Sequence, residues 1–180
     1  MKILICGFAG SGKSTLAKTL GNIYDIEVLH IDKLHFYPGM VIRERDLLEK
    51  DIKDFMISHN DWVIDGNYYT HNPERFDEAD KILYLKFKRL TCLNRILRRE
   101  IKNKGIQRDD MADGCPDKPD FSFIMWALFG QRRKKITSRF ETFKNKYPKK
   151  VLILKNQKAV DEYIRSVEDE RKNWWIKKDY

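Results

Sequence analysis

Three glycines, a lysine and three hydroxyl residues stand near the start of the chain, in Gly7-Phe8-Ala9-Gly10-Ser11-Gly12-Lys13-Ser14-Thr15. Glycine lets a backbone turn so that successive N–H groups point inward, a following helix adds partial positive charge at its N-terminus, and a lysine adds a full one. The spacing G-x-x-x-x-G-K-[ST] makes such a concave cationic array, which suits a chain of phosphates. Lys13 is expected to reach the β- and γ-phosphates of a nucleoside triphosphate and the Ser14 hydroxyl to ligate magnesium, so ATP and Mg2+ are the ligands implied. Gly7, Ala9, Gly10, Ser11, Gly12, Lys13, Ser14 and Thr15 are the nucleotide-binding candidates. The dinucleotide fingerprint G-x-G-x-x-G is not matched, because Gly10-Ser11-Gly12 runs into Lys13-Ser14-Thr15. A guanine-reading NKxD is absent from the late apolar run VLILKNQK.

Carboxylates after apolar runs supply a second set of candidates, since open α/β sheets bind ligands beyond the C-terminal ends of their strands. Asp32, after IEVLHI, has the chemistry to orient or deprotonate an acceptor hydroxyl, or to hold a magnesium-bound water. Asp65 ends WVID and precedes Gly66-Asn67, where a carboxylate can serve a metal and a glycine admits substrate close to the backbone. Asp32 as an N-cap and Asp65 as a turn residue are the structural alternatives. Farther along, Arg95, Arg98, Arg99 and Lys102 fall at i, i+3, i+4 and i+7 of a helical stretch, with Leu90, Leu93, Leu97 and Ile101 on the opposite side. This predicts a core face and a cationic face, and arginines so placed stabilise charge on a transferring phosphoryl group. Arg108 and Arg132 to Lys135 are further basic candidates for the same cleft.

These residues need strands to hold them, and the pattern provides them. KILIC (2–6), IEVLHI (26–31), WVID (62–65), KILYL (81–85) and VLILK (151–155) are short, almost continuously apolar runs. They alternate with helical stretches at about 13–20, 44–58, from 89, about 121–146 and 157–170. The alternation predicts an α/β fold: three layers, α/β/α, around a five-stranded parallel sheet with right-handed crossovers. One domain over 1–180 is expected, with a mobile lid insertion at about 100–122 where Gly, Pro and Asp break the rhythm. On the long basic helix, Met125, Phe129, Ile136, Phe140 and Phe143 form a spaced apolar series whose aromatics are expected to be mostly core.

The net charge of +9 is unevenly placed: residues 86–108 and 121–150 each carry nine Lys/Arg against one acid, contributing +8 apiece and leaving the remainder at −7. Such a field favours a polyanion, whether a nucleotide or a nucleic-acid backbone. No apolar run approaches the roughly 20 residues needed to span a bilayer, so no membrane role is expected. Met1-Lys2 leads directly into ILIC, unlike a secretory signal, and Cys6, Cys92 and Cys115 are odd in number and widely spaced; both features predict a cytoplasmic protein. Cys115 sits in the polar stretch DGCPDK. The sequence leaves monomer and homodimer open.

With these residues in view, the chain resembles the P-loop small-molecule and nucleotide kinases, the group of adenylate, shikimate and gluconate kinases. It looks most like bacterial proteins named DNA topology modulation proteins (FlaR-related), through GFAGSGKSTLAK, HIDKLHFYPG, DWVIDGNY, the Arg75 region, RILRR and RDDMADGCPDK. The resemblance to adenylate kinases implies that Arg95 and Arg99 match two arginines on the helix leading into the lid, Asp65-Gly66 the DG pair after the third strand, and Arg75 an acceptor-phosphate arginine. Asn67-Tyr68 replaces the phenylalanine-proline of nucleoside-monophosphate kinases, and HIDKLH is similar to the acceptor motif of gluconate-type kinases. The reading is therefore an ATP·Mg phosphotransferase: Lys13, Asp32, Arg95 and Arg99 catalytic; Asp32, Asp65, Gly66, Asn67 and Arg75 on the acceptor; Arg98, Arg99 and Arg108 in the lid; Ser14 and Asp65 on the metal. The acceptor is a nucleotide or small molecule not identified by the sequence. The alternative is an ATP-dependent nucleic-acid-binding regulator using the basic surface of 121–150.

Overall fold

The computed structural model describes residues 1–102, 109–115 and 120–178, with side chains as far as 173. Arg108 lies outside the described residues. The chain runs β1 (Lys2–Gly7), α1 (Lys13–Tyr24), β2 (Val28–His30), α2 (Ile31–His35), β3 (Phe36–Tyr37), β4 (Val41–Ile42), α3 (Arg45–Ser58), β5 (Trp62–Asp65), α4 (Glu74–Glu78) and β6 (Lys81–Leu85). It continues with α5 (Arg89–Lys102), α6 (Phe121–Leu128), a 3-10 turn at Gly130–Arg132, α7 (Lys134–Lys146), β7 (Val151–Leu154) and α8 (Gln157–Lys178).

Five strands form one parallel sheet in the order β2-β5-β1-β6-β7. Each expected apolar run is one of them, and β1 lies at the centre because both its faces can be buried: Ile3 and Ile5 point into one core, Leu4 and Cys6 into the other. The first core takes Leu16, Ala17 and Leu20 of α1 with Val160 and Val167 of α8. The second takes Leu48, Ile52 and Met56 of α3, Phe76 of α4 and Phe140 of α7. The sheet is thus the middle of three layers, as a sheet fed by crossovers on both faces must be.

Two expectations about helices fail. The basic stretch 121–146 is not one helix but α6 and α7 with a break at Gly130, where the Trp126 ring occupies the space of a side chain: a Cβ on Gly130 would stand 2.6 Å from Trp126 Cδ1. The break takes the two halves out of phase, so Phe140 is buried and Phe143 packs on Phe76 with ring centroids 4.1 Å apart, while Met125 and Phe129 are exposed. On α5 the buried positions are Cys92 and Ile96, not the predicted leucine face; Leu90 is 77% and Ile101 79% exposed. The cause is what α5 lies against. Its Cys92 carbonyl would be 2.5 Å from a Cβ on Gly10, so the helix packs on the loop after β1 through the narrow Cys92–Ile96 stripe.

Candidate active site

The loop between β1 and α1 is bare toward solvent and tied down behind. Gly12 caps α1 at φ 94° with no side-chain hydrogen bond, and no acidic residue sits in the first turn. The first N–H groups of the helix therefore lack intrahelical partners, and its positive dipole end faces the cleft. Behind the loop, the Gly7 N–H donates to Asn67 Oδ1 and Asn67 Nδ2 donates to the Gly7 carbonyl, both at 2.9 Å. The Ala9 N–H donates to Oε1 of the buried Gln131 at 2.7 Å. The Arg132 guanidinium lies 3.7 Å from the Phe8 ring centroid and donates to the Phe87 carbonyl at 2.8 Å. Ser11 Oγ is buried and has no hydrogen-bond partner among the described residues.

A cleft of about 1470 Å³ opens over this loop. Gly10 to Thr15, with Ala9, form its floor, and Arg95, Arg99 and Gln157 stand on one side. Arg95 donates to the Ser11 carbonyl at 2.9 Å and to Gln157 Oε1 at 2.6 Å, and its guanidinium lies 4.7 Å from the Phe87 ring centroid. Lys13 Nζ reaches the Phe8 carbonyl only at 3.5 Å, a weak contact that a phosphate would outcompete. Asp109, Asp110 and Met111, in the stretch expected to be a lid, also line the cleft. Asp109 pairs with Lys18 of α1, Gly114 accepts from the Gly39 N–H at 3.2 Å, and the Cys115 thiol donates to the Tyr37 carbonyl at 3.4 Å. Cys115 is thereby buried, not on an open polar loop as its neighbours suggested. Burial pushes the Cys6 thiol up to about 11 and also raises Cys92, leaving both far from the thiolate form.

The facing wall carries Asp32, Phe36, Met40, Gly66, Asn67 and Tyr68. Asp32 lies on α2 at the end of β2, where strand-to-helix chain reversal turns it to the cleft, and it accepts from the Tyr68 hydroxyl at 2.6 Å. Burial first, then the Asp32 charge, hold Tyr68 far above the usual phenol range, so this hydroxyl stays a donor. The Tyr68 ring also meets His35, with centroids 4.7 Å apart.

The structure separates the remaining candidates. Asp65, at the end of β5, is 5% exposed and outside the cleft lining; its Oδ2 is 3.1 Å from His30 Nδ1, and its Oδ1 has no hydrogen-bond partner among the described residues. Arg98 is exposed and does not line the cleft that Arg95 and Arg99 line. Arg75 corrects an expectation: it is 0% exposed and holds the acceptor wall from beneath, donating to the carbonyls of Asn67 at 2.9 Å and Tyr68 at 3.0 Å. The loop of residues 66–69 packs on the second core through Tyr68 and Tyr69. Gln131 and Gln157, which sequence reasoning missed, have no spacing signal; they act by reaching backbone and side chain across the fold.

No protein-family model matches the chain, and no curated protein matches it. Among solved structures it is similar to the crystal structure of a gluconokinase from Sinorhizobium meliloti 1021, with a TM-score of 0.52 and 13% identity, covering 98% of this chain and 96% of that one. At that identity the likeness speaks of the fold. Together with the parallel sheet, the glycine loop and the helix that follows it, this likeness shows that the chain has the α/β fold of the P-loop kinases.

Proposed function

We propose that the chain is an ATP-dependent phosphotransferase acting on a small hydroxyl acceptor. The observation that carries the reading is the pairing across one cleft of a helix start at Gly12–Lys13, with no side-chain cap, and a hydrogen-bonded carboxylate, Asp32, on the facing wall. The N–H groups of the loop and Lys13 hold the β- and γ-phosphates. The acceptor hydroxyl oxygen forms a bond to the γ-phosphorus as the bond to the β–γ bridging oxygen breaks, its proton passes to Asp32, and ADP leaves. Arg95 and Arg99, beside the loop, offset the charge on the group in flight.

The residues fit a magnesium ion held in the way that ion prefers, by few protein oxygens and the nucleotide's phosphates. Ser14, which lines the cleft beside Lys13, would supply a protein oxygen directly, whereas Asp65, behind the lining with Oδ1 unpaired among the described residues, would act on the ion only through a water. Among the described residues no group of three His, Cys, Asp or Glu holds a metal unaided. Magnesium, when bound, draws charge from the β- and γ-oxygens.

ATP consumption by wild type, Lys13→Ala and Asp32→Asn, with nucleosides, nucleotides, sugar acids and DNA as additions, tests the proposal. Wild-type turnover is expected to rise with one small acceptor and give its phosphorylated product; Asp32→Asn is expected to lose at least about 10²-fold in kcat. Stimulation by DNA alone would overturn it. One observation favours that second reading: Lys134, Lys135 and Arg139 are exposed on α7, directly after Arg132 on the phosphate loop's back side. In it the chain is an ATP-dependent regulator of the DNA-topology-modulating kind, its DNA affinity falling steeply with salt. Either role belongs to a cytoplasmic protein.

A further inference from the structure

The cleft is larger than the 300–1,000 Å³ usual for a single small-molecule site, leaving room beside a triphosphate for a second ligand. Its two sides differ in charge. Lys13, Arg95 and Arg99 all stand on the phosphate side. The only other cation in the lining among the described residues, Lys18, is paired with Asp109.

The acceptor wall is different, for among the described residues no Lys or Arg lines it. Three nearby cations are committed elsewhere, Arg75 to the carbonyls beneath the wall, Arg43 to Asp51 at 2.7 Å, and Arg45 to Glu49 and the Thr70 carbonyl, each at 2.7 Å, while Lys33, beside Asp32 on α2, is exposed and is not part of the cleft lining. His35 and His71, which back the wall through Tyr68, are held below the ordinary imidazole value chiefly by burial, and are neutral at pH 7. Asn67 spends both its amide atoms on Gly7. What remains facing the cleft is the Asp32 carboxylate, the Phe36 and Tyr68 rings and the Met40 thioether. A phosphate or carboxylate on the acceptor would meet a like charge at Asp32 and, among the described residues of this wall, no opposite one, a mismatch that selects against acids. Flat apolar faces beside a carboxylate suit a ring-bearing alcohol.

Resting on the phosphotransferase reading, we propose that the acceptor is an uncharged hydroxyl compound with a flat ring, of the nucleoside kind, and not a nucleotide or a sugar acid. The test is kcat/KM for phosphoryl transfer from γ-labelled ATP to adenosine and uridine, against their 5′-monophosphates and gluconate, with the intact chain. The uncharged members are expected to be phosphorylated at least about tenfold better. Preference for a monophosphate or for gluconate would overturn this inference while leaving the phosphotransferase standing. Binding of ATP·Mg with transfer to no probe would overturn the phosphotransferase reading, and this inference with it. Met40→Arg, at an exposed position on the same wall, is expected to move the ratio toward the anionic member of each pair by several-fold with ATP affinity unchanged. An unchanged ratio in that variant would overturn the placing of the acceptor against this wall.

Discussion

At the residue scale, several side chains work through other groups. Arg75 has no place in the cleft, yet two carbonyls of the acceptor wall depend on it. Arg75→Met is expected to cost about 1–3 kcal/mol in urea unfolding, by leaving those carbonyls unpaired, whereas an arginine gripping a substrate phosphate would change KM and not stability. Tyr68→Phe removes one donor from Asp32; kcat is expected to fall about tenfold with KM for ATP unchanged, measured in the acceptor-dependent assay. His35 and His71 give a pH dependence whose sign is fixed. Burial lowers His35 against the raising effect of Asp32; burial and Arg45 lower His71 against Glu49, with His35 and Arg75 lowering it further. The folded state then binds fewer protons than the unfolded one, so their contribution is full above the ordinary value of 6.5 and is lost as pH falls below it through the depressed values. The melting temperature is expected to drop on acidification from pH 7 to 5.5, and less steeply in His35→Gln.

At the element scale, the sheet was legible because β1, β5 and β6 are buried runs and β7 an apolar one, whose composition admits little else, and the loop after β1 because its glycine and lysine spacing is dictated by phosphate geometry. The acceptor wall was legible only in part. Asp32 stood out by its place after an apolar run, but α2, the β3–β4 hairpin and α4 are too short to leave a periodic signal, and Tyr68 and Gln131 act through contacts between residues far apart in sequence. The face of α5 was misjudged for a related reason: periodicity reveals an apolar stripe, not what it will lie against, and here Cys92 and Ile96 meet the phosphate loop while Leu90 and Ile101 face out. Gly10 tests that packing. At φ +75° and with the Cys92 carbonyl 2.5 Å from where a Cβ would be, Gly10→Ala must displace loop or helix. A loss of about 1–3 kcal/mol in stability is expected, together with weaker ATP binding by calorimetry.

At the scale of the whole molecule, the ends of the chain and its middle converge on one loop: Asn67 from after β5, Gln131 and Arg132 from between α6 and α7, and Gln157 of α8 through Arg95. ATP·Mg should therefore stabilise the entire domain and not only its N-terminal part. At a hundredfold excess over its dissociation constant, the gain is about 2.7 kcal/mol, seen as a rise in melting temperature that Lys13→Ala abolishes. The Gln131–Arg132 strut has a consequence of its own, because it joins the back of the phosphate loop to the start of the basic helix α7. Two sites that share one rigid element share one free energy. If a polyanion on α7 shifts that strut, it alters affinity for ATP by some factor, and ATP must alter affinity for the polyanion by that same factor, in the same direction.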